Sequence, residues 1–529
     1  MTGRLVGIVI MSLVMASTTS ADPPPVQLVI DTEQVVRELH GPWLGLNVNY
    51  LLDHDARRPA EARPLVEALR ELGPGYLRYP GGEKSDVTWF APPPFDRQIT
   101  EAQPTLNRVG PDAWPSSDRR LVAEDGVTFL QPVLSYDDFI ELCRAVEAEP
   151  VVVVPLDGAF VAGGPSRQQI IDHAAAWVRY ANVTNDHGVT RWELGNESYY
   201  DSYGGTATAE QYASLLTDMA AAMRAVDPDV QIGANGPNRW GDRSRVEAEA
   251  GPAWWPSVMD QAGEAVDWIA LHEYPFWQAR SYEHQVQRLA NEEALGGGLV
   301  RVAQQADRPM LITEAGPIDF AVGREGEDQA TVWANTNDMG HAIMQARMLQ
   351  QWLHRPEIGG VMIWNTRWFP DDAGNVRAYD LLDERNELTA TGWAFRAFAR
   401  HLRDADVVVA CDAGRDVWAT ATVDRRQPGR VRVLLINPTG AMIDVRWPAG
   451  LVTASDMPVQ GDGAEDHEPW NPRTYDPGML VARNVGPRNQ IWLHPTGREG
   501  DRWSRITSHS WNAVRLWPAT GDEAAAAGE

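Results

Sequence analysis

Three glutamates and one histidine stand out by type and spacing in this chain of 529 residues. In RWELGNESYY (191–200) Glu193 and Glu197 lie four residues apart, Glu314 ends the apolar run PMLITEAG, and His272 and Tyr274 close DWIALHEY. Two carboxylates meeting at one face can cleave a glycosidic bond. One delivers a proton to the leaving oxygen, and the other serves as nucleophile or base. A lone glutamate is more often a solvated or paired surface group. The reading therefore depends on whether the fold brings the carboxylates together.

The elements that would position them follow from periodicity. Apolar runs read as strands at WLGLNVNY (43–50), YLRYPGG (76–82), PVVVVPLDG (150–158), RWELGN, VQIGANG (230–236), DWIALHEY (267–274), PMLITEAG (309–316) and GGVMIWN (359–365). Several are apolar without alternation, as strands buried on both faces are. Amphipathic segments lie between them. Leu65, Val66, Leu69 and Leu72 share one helical face before a Gly73-Pro74 stop, and a second helix starts at Ser135. Ser166 with Gln169 and Thr208 with Gln211 carry the capping-box pattern. Eight strand-helix units over residues 40–403 predict an α/β fold, a (β/α)8 TIM barrel with insertions. A doubly wound sheet is the other arrangement of such units, but no glycine-rich phosphate fingerprint follows the first strand. Residues 83–134 form one long Pro-rich insertion that leaves the C-terminal end of strand 2. A loop this long within a compact domain is usually functional or disordered.

In such a barrel the strand C-termini gather at one face, where chemistry is carried out. That face would collect Arg78 and Gly81-Gly82 from strand 2, Asn196-Glu197 from strand 4, His272 and Tyr274 from strand 6, Glu314 from strand 7 and Trp364-Asn365 from strand 8. Glu193 and Glu197 would share a strand face, roughly 13 Å apart at the rise of an extended chain. Only Glu197 then reaches the mouth. Glu193 lies lower and needs a buried partner.

The remaining sequence bounds the setting. Residues 404–520 alternate and are cut by Gly, Pro and Asp turns, which predicts a C-terminal all-β sandwich domain. Residues 25–32, at the start of a 22–403 barrel segment, could pair with it, and the tail 521–529 reads as disordered. Arg4, the apolar run Leu5 to Ala16 and TTSA read as a signal peptide over residues 1–21, so a secreted or periplasmic location is expected. No later stretch is apolar for a membrane-spanning length. The net charge of −27 disfavours nucleic acid and anionic membrane surfaces as partners. The 22 tryptophans are a hint of sugar stacking and no more. Cys143 falls on the apolar face of a helix and reads as a buried thiol, although a bridge to Cys411 suits an exported protein. Two cysteines make no metal site, and no cluster of histidine and acidic residues in the sequence suggests catalytic zinc. No cofactor is expected.

ELGNE after strand 4, HEY on strand 6, ITEAG on strand 7 and Trp364 on strand 8 resemble the motifs of retaining glycoside hydrolases of clan A. LRYPGG with WELGNE stands nearest to the α-L-arabinofuranosidases of family 51, with families 39 and 79 and agarase-like enzymes also resembled. The resemblance implies Glu197 as acid/base, Glu314 as nucleophile, and a cis peptide after Trp364. It implies a neutral carbohydrate substrate from plant or algal material and a sugar site built from Asn196, Arg78, Glu83, Asn49, His272, Tyr274, Trp277, Trp364 and Trp89. Asn196 would bind the hydroxyl next to the anomeric centre, His272 would orient Glu197 or bind sugar, and Trp364 would be a stacking floor, with Trp89 and Trp114 either extending it or packing the long loop. Tyr274 and Arg78 would hold Glu314 ionised. Two positions depart from family 51. Glu83 stands where Asn is usual, and LGLNVNY, with Asn49, replaces an acidic motif. The sugar therefore stays open among an α-L-arabinofuranoside, a β-xyloside, a β-glucuronide and an agarose-type galactan. Two other classes remain to be weighed: a non-catalytic carbohydrate-binding barrel and a metal-dependent hydrolase using His272 and Glu273.

Overall fold

A computed structural model describes residues 25–107, 121–123, 128–200, 207–244, 252–275, 281–290, 292–318, 336–370, 374–403, 405–426, 431–439, 443–448, 451–453, 503–506 and 510–518. The leader-like segment, Trp114, Trp277 and the C-terminal tail lie outside them.

Eight parallel strands close into a barrel: Leu44–Asn47 (β1), Tyr76–Tyr79 (β2), Glu149–Val154 (β3), Arg191–Leu194 (β4), Gln231–Gly236 (β5), Trp268–Glu273 (β6), Met310–Ala315 (β7) and Ile358–Ile363 (β8). All eight expected runs supply a strand, and β8 pairs with β1 to close the ring. Between them run Leu65–Leu72, Tyr136–Val146, Arg167–Val178, Ala209–Val226, Trp254–Ala262, the pair Tyr282–Leu289 and Glu292–Ala306, and Met339–Leu353, with Ala390–Leu402 after β8. The helix starts have a local cause. Ser135 with Asp138, Ser166 with Gln169 and Thr208 with Gln211 each form a reciprocal capping box that satisfies two otherwise orphaned N–H groups. Gly73 ends the first helix in the left-handed region at φ 73°.

Strand alternation sets the layers inside the barrel. Tyr76, Val151, Trp268, Ala270, Leu311 and Met362 pack together as an apolar plug. Two residues further along β2 comes Arg78, and two beyond Ala270 on β6 comes His272. A polar layer thus sits above an apolar one, and the plug shuts the far end against water.

The described first part of the long insertion, residues 83–107, is folded onto the barrel. A 3-10 helix, Gly82–Val87, leads into a short pair of strands, Thr88–Trp89 with Thr105–Leu106. Val87, Trp89, Phe90, Ala102 and Leu106 join the main core. The backbone N–H of Phe90 donates to His173 of the third helix at 3.1 Å.

The second domain is a six-stranded sheet in the order 451–453, 510–518, 431–437, 418–423, 407–412 and 29–38, with a three-stranded sheet beside it. The early strand Val29–Glu38 pairs antiparallel with Val407–Asp412, and Val26–Gln27 pairs with Val445–Arg446, so Val26–Glu38 belongs to the sandwich and the barrel begins at Leu44. Alternation explains how the larger sheet is buried on both sides. Val407, Val409, Ala419, Ala421, Val433 and Leu435 share one apolar cluster. Val408, Trp418, Leu434 and Ile436 face the barrel helices. Cys143 and Cys411 are both free thiols, and burial pushes both up, Cys411 to about 12. No described helix is long and apolar enough to cross a membrane.

Candidate active site

The floor of the site is an ion network around Arg78, which is fully buried. Nε and Nη2 donate to the two oxygens of Glu193, both at 2.9 Å. Nη2 also donates to Asn196 Oδ1 at 2.9 Å, and Nη1 donates to Asn47 Oδ1 at 2.8 Å and to Glu314 Oε2 at 3.3 Å. A guanidinium has five N–H donors, and all are spent. Arg78 therefore has none left for a sugar, which corrects its expected role as a substrate ligand. Burial works against its charge, but Glu193 and Glu314 outweigh burial and raise its pKa. Glu193, equally buried, finds the partner it required, and Thr313 donates to it as well at 3.3 Å.

Above this floor the chain leaves β4 abruptly. Gly195 (φ 78°) and Glu197 (φ 50°) both lie in the left-handed region, which a glutamate adopts only where its surroundings impose it. The surroundings here are specific. Ser198 N–H donates to Asn235 Oδ1 at 2.9 Å, Asn235 Nδ2 donates to the Leu194 carbonyl at 2.8 Å, and Ser198 Oγ donates to Asp157 Oδ2 at 2.8 Å. Tyr212 OH donates to the same Leu194 carbonyl at 2.9 Å. A Cβ on Gly195 would collide with Ser198 Oγ. Asp157 also lies near the Asn196 N–H and the Asp86 carboxyl, and burial pushes its pKa up to about 6.

This turn corrects the expected 13 Å offset between the two glutamates of RWELGNESYY. His272 lies between them, with Nδ1 2.9 Å from Glu197 Oε1 and Nε2 4.0 Å from Glu193 Oε1. The left-handed turn folds Glu197 back over the barrel mouth, so Glu193 lies directly beneath the site. Nδ1 of His272 is also 3.7 Å from Glu314 Oε2. An oxygen of Glu197, one of Glu314 and a ring nitrogen of His272 all lie within 4.8 Å of one another. Burial, the largest influence, would lower the His272 pKa. Glu314 and Glu197 more than offset it, so the pKa is raised.

Glu314 is held from two sides, by Arg78 on Oε2 and by the Tyr274 hydroxyl donating to Oε1 at 2.6 Å. Burial first, then the Glu314 charge, pushes the Tyr274 phenol well above its usual range, so it remains a neutral donor. The Tyr274 ring packs with Ile318 and Tyr379, and Trp364 and Trp368 lie against that cluster. The Trp364–Asn365 peptide is cis, as the resemblance implies. The double glycine after β2 lets the insertion press on this corner. A Cβ on Gly81 would strike the Val48 carbonyl, and one on Gly82 the Trp364 indole.

Five buried polar atoms around this mouth have no hydrogen-bond partner among the described residues: Asn196 Nδ2, His272 Nε2, Asn49 Oδ1, and Nδ2 and Oδ1 of Asn365. Buried polar groups are nearly always paired, so these are the groups a bound polyol can engage. Two expected ligands are placed elsewhere. Trp89 is buried between Phe95 and His173, with ring centroids at 5.1 and 4.3 Å, so it packs the insertion and does not extend the floor. Glu83 is exposed, while Lys84 beside it is turned inward. Sequence reasoning also missed Asp157, Asp86 and Asn235, which carry no motif signal beyond standing at the ends of β3, β2 and β5.

The fold does gather His272 with two carboxylates, which the spacing along the chain did not suggest because the three come from β6, β7 and the turn after β4. Among the described residues they are the group that could hold a metal ion. A cation there would displace the His272–Glu197 hydrogen bond and sit beside the Arg78 guanidinium, a like charge already bound to Glu314. The arrangement suits an imidazole between carboxylates better than a metal.

No family model matches the chain. An intracellular exo-α-(1→5)-L-arabinofuranosidase of Streptomyces lividans is 28% identical over 218 residues, 40% of this chain and 29% of that protein. One from Bacillus subtilis is 32% identical over 232 residues, 42% of this chain and 41% of that protein. The chain thus spans well under half the length of these curated relatives. Solved structures agree over far more of it. The α-L-arabinofuranosidase of Thermotoga maritima superposes with a TM-score of 0.61 at 15% identity, covering 93% of this chain and all of that one. The family 51 enzyme of Thermotoga petrophila gives 0.58 at 16% identity, covering 93% and 99%. CelM2, a bifunctional glucanase-xylanase from a metagenome library, gives 0.56 at 15%, covering 94% and 100%. At these identities the structures establish the fold, a TIM barrel with a β-sandwich. The likeness to clan A, with family 51 among both sequences and structures, stands on independent matches.

Proposed function

We propose that this chain is a retaining glycoside hydrolase acting on a plant or algal polysaccharide or its oligosaccharides. The observation that carries the reading is the close approach of two carboxylates with opposite surroundings. Glu314 is bound by a guanidinium and a phenol, which aim it as a nucleophile. Glu197, one-fifth exposed at the mouth, faces His272 and opens toward solvent, where a leaving oxygen can reach it. Oxygens within 4.8 Å of each other suit the retaining separation of about 5–5.5 Å and leave no room for the intervening water of an inverting enzyme.

In this reading Glu314 attacks the anomeric carbon while Glu197 donates its proton to the departing oxygen. Glu197, now ionised, then takes a proton from water as the water displaces Glu314. Asn196 presents its unpaired Nδ2 to the neighbouring hydroxyl, and Trp364 offers an apolar face to the ring. The named relatives make a nitrophenyl α-L-arabinofuranoside the first substrate to try, with β-xylosides, β-glucuronides and agarose-type galactans beside it. The leader-like first residues put the activity outside the cytoplasm in this reading, whereas the quoted relatives are named intracellular. Fractionation of producing cells decides that point.

Paired mutants test the mechanism. Glu314→Ala should abolish turnover of every substrate. Glu197→Ala should lose about 10²–10⁴-fold on a sugar leaving group but far less in the first step on a nitrophenolate, which leaves without a proton. Azide should restore turnover of Glu197→Ala with retained configuration. Azide rescue in Glu193→Gln in place of Glu197→Ala would reverse the assignment. A wild-type protein that binds sugars and cleaves none would favour the non-catalytic barrel.

A further inference from the structure

We infer that Lys84 binds an anionic group, a carboxylate or a sulfate ester, on the sugar held over Trp364. The inference rests on the hydrolase reading for the location of the sugar and adds the charge of the substrate.

Lys84 lies in the 3-10 helix Gly82–Val87 that opens the long insertion. It is only 5% exposed. Its ammonium sits 4.8 Å from the centre of the Trp364 ring and 4.4 Å from that of Trp368. Two indole faces attract a cation, but they do not neutralise it. Among the described residues no carboxylate stands within ion-pair distance, and no acceptor takes a hydrogen bond from the ammonium. The stem is buried while the ammonium itself keeps an opening to the cleft, with no counter-charge beside it although the chain is not short of acids, with 73 Asp and Glu against 46 Lys and Arg. The contrast with Arg78 is direct. Arg78 has every donor engaged, whereas Lys84 has three donors that no described residue takes up.

Its position says what could use them. Trp364 packs against the cluster of Tyr274 and Tyr379, and Tyr274 holds Glu314. The ammonium is therefore one indole away from the residue that binds the nucleophile, at the corner where a sugar would stack. A neutral hydroxyl there could accept one hydrogen bond but would leave the charge unbalanced. A carboxylate or sulfate offers several oxygens and the opposite charge. The net charge of −27 does not argue against this, since exposed charges are screened beyond about 8 Å in physiological salt while a cation inside a cleft is not. The expectation of a neutral substrate, which came with the resemblance, gives way here to a local one.

Tryptophan fluorescence titrations test the inference without requiring turnover. Sodium glucuronate, sodium galacturonate, sodium sulfate, glucose and galactose are compared at constant ionic strength on the wild type, Lys84→Gln, Lys84→Met and Lys84→Arg. At least one uronate should bind the wild type about tenfold or more tightly than its neutral counterpart, the size a charge-assisted hydrogen bond supports. Lys84→Gln and Lys84→Met, the second keeping an apolar stem between the indoles, should erase that preference while binding of the neutral sugar stays. Lys84→Arg should keep it. Saturable sulfate binding with the same lysine dependence, and none by uronates, would assign the anion to a sulfate ester. The inference falls if neither anion binds better than the neutral sugars, or if the preference survives in both uncharged variants. Hydrolysis of neutral and uronic nitrophenyl glycosides is scored separately. Lysine-dependent anion binding without hydrolysis would sink the enzymatic reading and leave this one standing, and hydrolysis of uronic glycosides that is indifferent to Lys84 would do the reverse.

Discussion

Two buried carboxylates support the turn that carries Glu197, and they are stabilised in opposite ways. Glu193, beneath it, meets a bidentate guanidinium. Asp157, beside it, meets a hydroxyl, a backbone N–H and a second carboxyl, that of Asp86, with its pKa pushed up to about 6 mainly by burial. One support is an ion pair, and the other is a site where a proton replaces the missing cation. The difference matters for the reaction proposed. The ion pair fixes charge under Glu314 through the shared Arg78. The carboxyl pair fixes geometry, holding Asn196 and Ser198 so that Glu197 stays in its left-handed conformation, and it is sensitive to pH.

The largest effect should follow from breaking the ion pair. Glu193→Gln removes the charge opposite a fully buried Arg78 and forces an amide against guanidinium N–H groups. Removing one partner of such a pair costs about 3–5 kcal/mol. Denaturant unfolding should show that loss, while the ratio of rates on activated and unactivated leaving groups stays near the wild type. A Glu193→Gln protein of unchanged stability would mean that the pair is not the foundation of the site.

What was legible in the sequence divides along the same line. The eight strands were readable because each is a short apolar run, and two helix starts because Ser166 and Thr208 announce themselves through residues three positions on. Glu197, His272, Tyr274 and Glu314 were readable because strand ends converge in any such barrel. The contact of Arg78 with Glu314 was expected, but its contacts with Glu193 and Asn47 were not, since these are brought to it only by barrel closure. The spacing of Glu193 and Glu197 misled because a left-handed Gly195 breaks the strand geometry that the estimate assumed. Lys84 and Asp157 were invisible for a simpler reason. Whether a charged side chain turns inward depends on the packing of the insertion and of the β4 turn, and neither leaves a periodic trace.

Asp157→Asn should act through pH. An aspartate whose pKa is raised on folding adds stability below its unfolded value of 3.8, and loses that contribution as pH climbs through about 6. The shift corresponds to about 3 kcal/mol between pH 4 and pH 7. Wild-type stability should therefore decline over that window on this account. Asparagine, which cannot ionise, should flatten the decline. Urea unfolding at several pH values for both proteins reads this directly, and equal slopes would remove Asp157 and its partner Asp86 from the explanation.

Ser198→Ala sharpens the comparison with the smallest change. The hydroxyl donates to Asp157 and lies on the Asn235 amide, all three groups buried. Its loss should cost about 1 kcal/mol, the usual net value of one hydrogen bond. The more telling effect is on pH. Because the Ser198 hydrogen bond favours the ionised form of Asp157, removing it should raise the pKa of Asp157 further, so the fall in stability should continue to a higher pH than in the wild type. Glu193 and Arg78 do not touch Ser198, and activity lost in Glu193→Gln should not track this shift. An unfolding profile for Ser198→Ala that moves down in stability but not along the pH axis would mean that Asp157 is held by its backbone contacts and Asp86 alone.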